Sequence, residues 1–546
     1  MSTDFTTSLA QVAAHVLDRH RNLSTLPVLA NPIAISHSIS SLPPVLPSTG
    51  LGTAKTVDYL LDTLLPGILQ AQNGSRYFGF VTGGVTEAAQ LADILVGSYD
   101  ENVQVTLEGI TASTAIESRT LDLVLDLLDI KRDVYLGRTI TTGATSANTL
   151  GLTCARNHLY SISPHLPPTY NFSQDGPPSS PTLPSPAIVM FVLHPHYSIL
   201  KAASLVGLGN GPRVVQTLPC AKDDELAFDL DFLEKRLKEE KAIGRGVIVV
   251  WGLGEVNTGG FGNGLGEVAR LCKAHGSWLH IDAGVSFPFS MRTNNRSRQI
   301  AFGGFAGLQP DLRPLVEHMD KADSLTLDAH KWLNVPYDCG LFFTRSASAL
   351  PTIFAPSAAN TPAYLSAAPS TASTSPQKAG EVVPGLVPSP LYINIENSRR
   401  FRALPLFASL ISLGKDGYSQ IIQNNINFAR RLATYIHASP HYSLLNHSAL
   451  VSPATYSEAA SPITPLNVVL FAPSPESPFG SAADATKAIN DTRIMYVTGT
   501  SWRGQGAIRL AVSSWRTGNG GEEEVAVITK VLEDVVRAKA EAVEVV

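Results

Sequence analysis

Lys331 closes an alternating apolar run, Ser324-Leu-Thr-Leu-Asp328, and follows directly on His330. Burial disfavours the ammonium form and makes the neutral amine accessible, which is the state a Schiff-base nucleophile needs. The competing reading is a lysine that snorkels to the surface. Four other places carry residue types capable of chemistry. Thr139-Ile-Thr-Thr-Gly-Ala-Thr-Ser-Ala-Asn148 places glycine and hydroxyls at the start of a helical run. His194 and His196 follow the apolar run 187–193, Asp282 ends Trp278-Leu-His-Ile-Asp282, and Tyr364 lies in a long stretch poor in charge.

Each has an ordinary reading beside the chemical one. Free backbone N–H groups and the positive end of a helix dipole at Gly143, Ala144 and Thr145 make an anion site; simple capping by Thr145 or Ser146 would use the same residues. The His194/His196 pair could share one face and hold a metal, but no third ligand lies near and there is no His-Glu-x-x-His, so no metal is expected. A buried Asp282 needs a partner, since burying a lone carboxylate is costly. Gly207-Leu-Gly209 is too short for a dinucleotide fingerprint.

The elements that must position these groups alternate between strands and helices. Strands are expected at 187–193, 246–251, 278–283 and 340–345, and helices at 112–128, 222–243 and 265–275. The chain has 546 residues, enough for two or more domains. A net charge of −5 gives no basic footprint for nucleic acid. The four cysteines are scattered and read as buried thiols of a reducing compartment. No apolar run is long enough to span a bilayer, and Met1-Ser-Thr-Asp-Phe5 opens no signal peptide, so a cytoplasmic protein is expected. Residues 1–75 carry helical stretches with apolar faces at Leu9, Val12, Val16 and Leu17 and again at Val57, Leu60, Leu61, Leu64 and Leu65. Such an arm packs on its own domain or on a second subunit. Residues 161–186 are rich in proline and serine and read as a surface insertion with little order. The segment 346–390 reads as a linker or a lid.

Asp328-Ala-His-Lys-Trp-Leu-Asn-Val-Pro-Tyr-Asp-Cys339 resembles the cofactor-lysine motif of the group II pyridoxal-phosphate-dependent decarboxylases. That family includes aromatic-amino-acid, glutamate, histidine and cysteine-sulfinate decarboxylases. The resemblance implies an α/β fold of type I, aspartate-aminotransferase-like: a large domain with a mostly parallel sheet and a small α/β C-terminal domain. On it the arm 1–75 clasps a partner in a homodimer, 76–345 is the large cofactor domain, 346–390 is a mobile active-site loop and 391–546 is the small domain. Lys331 would hold pyridoxal 5'-phosphate, flanked by Asp328 and His330. Gly143, Ala144 and Thr145 would hold its phosphate, although Ala144 replaces a usual glycine and Ser146 a usual glutamate. His194-Pro-His-Tyr-Ser-Ile-Leu-Lys-Ala-Ala203 matches the family pattern that makes His196 the ring-stacking imidazole. Asp282 would pair with the pyridine nitrogen. Thr361-Pro-Ala-Tyr-Leu365 would bring Tyr364 to the neighbouring subunit's site as proton donor. Phe80, Val81 and Thr82 would line the substrate side-chain pocket, and Arg509 matches an arginine that relatives keep. Glu255 and Val256 stand where relatives carry hydroxyls.

The activity implied is decarboxylation of an L-amino acid, expected to be aromatic, to its amine and carbon dioxide. An aminotransferase or lyase would share Lys331 and Asp282, an aldehyde-forming oxidative decarboxylase would favour phenylalanine at Tyr364, and an acidic substrate stays open. A non-catalytic scaffold is the remaining alternative. Its mark would be a colourless protein that takes up no cofactor.

Overall fold

The computed structural model describes residues 3–284, 316–355, 387–446 and 466–544. Compactness divides them into two units. The larger holds the described residues of 85–423, and the smaller joins 3–84 with 424–446 and 466–544. No helix among the described residues is long and apolar enough to cross a membrane.

The larger unit is built from short apolar runs. In chain order they are β1 (Gly137–Thr141), β2 (Ile188–Val192), β3 (Val215–Thr217), the ribbon β4 (Cys220–Ala221) and β5 (Asp224–Phe228), β6 (Gly246–Gly252), β7 (Trp278–Ala283), β8 (Ser324–Asp328) and β9 (Gly340–Thr344). Seven of them form one sheet in the order β1-β9-β8-β7-β6-β2-β3. Every residue of β2, β7, β8 and β9 is buried, so both faces of the sheet centre are covered, as a mostly parallel α/β sheet demands. The pairs β2–β3, β2–β6, β6–β7 and β7–β8 are parallel. Strand β9 runs antiparallel to both β1 and β8, which leaves those two pointing the same way. The carboxyl ends of β1, β2, β6, β7 and β8 therefore share one edge, where sites of open α/β sheets form.

Helix Ala144–Ser161 lies on this sheet with Ala147, Leu150, Cys154 and Ala155 in the core. The helix expected over 222–243 is shorter than its composition suggests. Asp224–Phe228 is a strand, and the helix begins at Leu230 because the Asp229 side chain accepts the Phe232 N–H at 2.9 Å. The Pro/Ser-rich segment also has more structure than expected. Phe172 stacks on Tyr160 at 5.5 Å, and the Arg156 guanidinium sits 3.6 Å over the Phe172 ring. Of the four thiols, Cys154, Cys272 and Cys339 are buried, but Cys220 on the narrow ribbon is exposed.

The smaller unit has an antiparallel sheet of β10 (Tyr442–Leu444), β11 (Val468–Pro473), β12 (Thr498–Trp502) and β13 (Gln505–Ala511), ordered β10-β11-β13-β12. Its N-terminal stretch attaches beside this sheet: Phe78 donates to Tyr496 O, Ala511 donates to Phe78 O, and Tyr77 stacks on Tyr496 at 4.9 Å.

Candidate active site

Three consecutive strand ends bring together groups far apart in sequence. Asp328 ends β8, and its Oδ1 accepts the Ala144 N–H at 2.6 Å while its Oδ2 lies 3.2 Å from the Lys331 ammonium nitrogen. A Cβ placed on Gly284, just past β7, would lie 2.9 Å from Ala144 Cβ and 3.1 Å from Asp282 Oδ1, with Asp328 Oδ2 at 3.9 Å. A Cβ on Gly340 would meet the Gly143 carbonyl carbon at 2.4 Å. Strand β9 and the turn before helix Ala144–Ser161 touch backbone to backbone there, so glycine at 340 is a steric requirement.

Lys331 is held from its own loop as well. The Ala329 and His330 N–H groups donate to Cys339 O at 3.0 and 3.2 Å, pinning the loop between β8 and β9. His330 Nδ1 donates to the same carbonyl at 3.2 Å, and burial pushes its imidazole below the usual histidine range, with Asp328 opposing. Gly143 precedes the helix, Ala144 is its first residue and Thr145 sits half-buried in its first turn.

Asp282 is buried at the end of β7. Its Oδ1 accepts the Gly284 N–H at 3.1 Å and its Oδ2 accepts the Asn148 side-chain amide at 3.1 Å. That amide also donates to Ser198 Oγ at 3.0 Å, and Ser198 Oγ lies 2.7 Å from His196 Nδ1. His196 caps helix Tyr197–Leu205, accepting the Ser198 N–H at Nδ1. His194 does something different: its Nε2 meets Glu225 O at 3.1 Å.

A cleft opens here, lined by His196, Asp282, Trp251, Phe228 and Glu255 among others. Glu255 is locked as the centre of a turn, its carboxylate accepting from Asn257 N, Thr258 N and Thr258 Oγ1 at 2.8–2.9 Å. It therefore builds the wall rather than offering a free charge. A primary amine, a buried carboxylate, an imidazole and the first amides of a helix suit a phosphorylated aldehyde with a basic ring nitrogen, so the residues fit the cofactor the motif implies.

Phe80, Val81, Thr82 and Arg509 belong to the smaller unit. Phe80 and Val81 both adopt left-handed backbone, φ 55° and 58°, a conformation side chains with a Cβ rarely take. Val81, Thr82 and Arg509 are buried, and Phe80 is exposed and tilted against Tyr496. Tyr364 and residues 356–386 of the expected lid fall outside the described residues. Asn148, Ser198 and His280 were not singled out from the sequence. The available signal was a polar residue at a buried beat of an apolar run, which His280 in Trp278-Leu-His-Ile is.

The family model described as the pyridoxal-dependent decarboxylase conserved domain matches residues 55–452. The chain is 28% identical over 251 residues to an aromatic-L-amino-acid decarboxylase of Bacillus atrophaeus, covering 46% of this chain and 44% of that one. It is 24% identical over 365 residues to an L-2,4-diaminobutyrate decarboxylase of Acinetobacter baumannii, covering 65% and 62%. With an aromatic-L-amino-acid decarboxylase of Cavia porcellus it shares 24% over 419 residues, 74% and 76% of the two chains. Thus it spans less than two thirds of the first two relatives' length. Among solved structures, Catharanthus roseus tryptophan decarboxylase in complex with L-tryptophan superposes with a TM-score of 0.72 at 18% identity, covering 98% of this chain and 99% of that one. An Oryza sativa TDC with PLP and tryptamine gives 0.73 at 18% identity with the same coverage. These two likenesses carry the fold, which is type I. The sequence match carries the family: the chain belongs to the pyridoxal-phosphate-dependent amino-acid decarboxylases.

Proposed function

We propose that the chain converts an aromatic L-amino acid to its amine and carbon dioxide, working as a homodimer. Bound pyridoxal phosphate supplies the electron sink for the carbon that loses its carboxylate. Lys331 contributes the amine that holds the aldehyde, and Asp328, 3.2 Å away, orients that amine from the strand end. With the cofactor bound, Asp282 would hold a proton on the ring nitrogen, His196 would cover the ring face, and the turn at Gly143, Ala144 and Thr145 would hold the phosphate. Because the Ala144 N–H is donated to Asp328, this cradle draws on fewer free amides than a bare helix start. Tyr364 supplies the proton that replaces carbon dioxide.

The observation that carries the reading is the convergence of Ala144, Asp282 and Asp328 within 4 Å of one point at Gly284, with Lys331 paired to the last of them. The aromatic preference is supported by the aromatic-L-amino-acid decarboxylases among the relatives and by the apolar pair Phe80 and Val81. A diaminobutyrate substrate is the second reading, favoured by the Acinetobacter baumannii relative. The dimer is supported by the row of exposed apolar residues on the N-terminal helices, among them Phe5, Leu9, Val12 and Leu17. Unpaired thiols suit a reducing compartment such as the cytoplasm.

The test is a panel of L-amino acids, including tryptophan, tyrosine, 2,4-diaminobutyrate and glutamate, with carbon dioxide and amine measured in the presence of pyridoxal phosphate. Borohydride reduction of the loaded protein should leave a pyridoxyl tag on the Lys331 peptide and none in Lys331→Ala. Keto-acid formation without carbon dioxide would reassign the reaction to transamination. Tyr364→Phe should lose amine and gain aldehyde; an all-amine product would remove Tyr364 from its role.

A further inference from the structure

Behind Asp282 and His196 runs a line of buried polar groups that the chemistry above does not use. Residues 278, 280 and 282 alternate on one face of β7, and His280 is fully buried between that strand and helix Ala144–Ser161. Helix residue 151 is glycine because a Cβ there would lie 2.5 Å from the His280 ring. Trp278 Nε1 donates to Ser324 Oγ at 2.9 Å, and Ser324 Oγ lies 2.8 Å from His280 Nδ1. His280 Nε2 lies 2.9 Å from Asn148 Oδ1. The Asn148 amide then reaches Asp282 at 3.1 Å and Ser198 at 3.0 Å, and Ser198 reaches His196 at 2.7 Å.

The direction of each bond follows from the ends of the line. An ionised carboxylate only accepts, so the NH2 of Asn148 faces Asp282 and its carbonyl faces His280. His280 then carries its hydrogen on Nε2. Burial lowers its pKa to about 4, so at neutral pH Nδ1 is bare and accepts the Ser324 hydroxyl, whose oxygen takes the Trp278 indole N–H. At the other end the Ser198 backbone N–H can only donate, and it points at His196 Nδ1 at 3.2 Å. That nitrogen is therefore bare as well. The Ser198 hydroxyl donates to it while accepting from Asn148, and the hydrogen of His196 sits on Nε2.

We propose that Asn148 is a positioning residue: oriented by His280, its side-chain amide divides its two hydrogens between Asp282 and Ser198 and so turns the Ser198 hydroxyl onto His196 Nδ1, where it joins the Ser198 backbone N–H in holding the Nε2–H tautomer. The carboxylate meant for the ring nitrogen and the imidazole meant for the ring face are then set by one rigid group. A carboxylate and a histidine on separate supports would drift independently, whereas these two share a buried amide with both hydrogens committed. The inference rests on the proposed roles of Asp282 and His196 toward pyridoxal phosphate.

The test begins on cofactor-free protein labelled with 15N-histidine. Two-bond 15N–1H correlations, with the His196 signals assigned from their loss in His196→Gln, should show His196 with Nε2 protonated and Nδ1 bare. Asn148→Leu keeps the volume but leaves nothing to donate to Asp282 or Ser198. It should release the Ser198 hydroxyl and so shift the His196 Nδ1 resonance, with the tautomer still held by the Ser198 N–H. It should also raise the dissociation constant for pyridoxal phosphate about tenfold to a hundredfold, the range for removing a hydrogen bond from a charged group. Wild-type His196 protonated on Nδ1 would overturn the proposal even if the variant fails to fold. So would an unchanged His196 Nδ1 resonance in a variant whose circular dichroism and thermal unfolding match wild type. Because the tautomer is read without cofactor or substrate, its failure is separate from a failure to decarboxylate.

Discussion

At the scale of single residues, a buried ion pair outside the site and the buried His280 both bear on stability. Arg399 bonds to Glu117 and also donates to Val103 O and Ile140 O at 2.9 and 3.0 Å. Removing one member of such a pair strands the other, so Arg399→Ala should lower unfolding free energy by about 3–5 kcal/mol in urea titrations. His280 gives a pH signature. Its folded pKa of about 4 lies below the ordinary 6.5, so the unfolded chain takes up a proton that the native state refuses. The stability this histidine contributes is full above pH 6.5 and is lost as pH falls through 4, amounting to about 3 kcal/mol. Urea unfolding at pH 7 and pH 4 in wild type and His280→Gln isolates that contribution. The candidate site was legible only in part. Lys331, Asp282 and His196 stand out because ionisable groups at the ends of apolar runs are conspicuous. Asn148 does not, since an asparagine in a helical run looks like any solvent-facing residue until the sheet is laid beneath it.

Among the elements, helix Ala144–Ser161 fits closely against β7 at Gly151. Replacing a helical glycine by alanine ordinarily stabilises by about 1 kcal/mol. At Gly151 the added methyl would stand 2.5 Å from His280 Cε1, and that ring cannot retreat without breaking its bonds to Ser324 and Asn148. Overpacking of this kind costs about 1–3 kcal/mol, so Gly151→Ala should lower the thermal midpoint rather than raise it. The central strands were readable because burial on both faces leaves an unbroken apolar run, as in Ile188–Val192 and Gly340–Thr344. The small strand Asp224–Phe228 was not, because three acidic residues ahead of a helix imitate a helix start while the true cap, Asp229, lies further on. The helical stretch Ala403–Ala438 is interrupted at Gly414, φ 57°.

For the whole molecule, the exposed apolar residues of the first helices point to association. On the proposed homodimer, Leu9→Glu combined with Leu17→Glu should shift the protein from dimer to monomer in light scattering, without loss of the helical signal. A variant that stays dimeric would place the contact elsewhere. Chain order adds a further demand. Residues 3–84 share their compact unit with 424–446 and 466–544, so the larger unit is threaded between two halves of the smaller. On a ribosome adding about 5–20 residues per second, the early half waits roughly 20–70 s for the strands that complete it. During that interval Tyr77 and Phe78 lack the Tyr496 and Ala511 groups they pair with. Nascent chains stalled before codon 424 should therefore be clients for chaperones that grip greasy segments, and slowing translation across the middle of the message should lower the yield of finished protein.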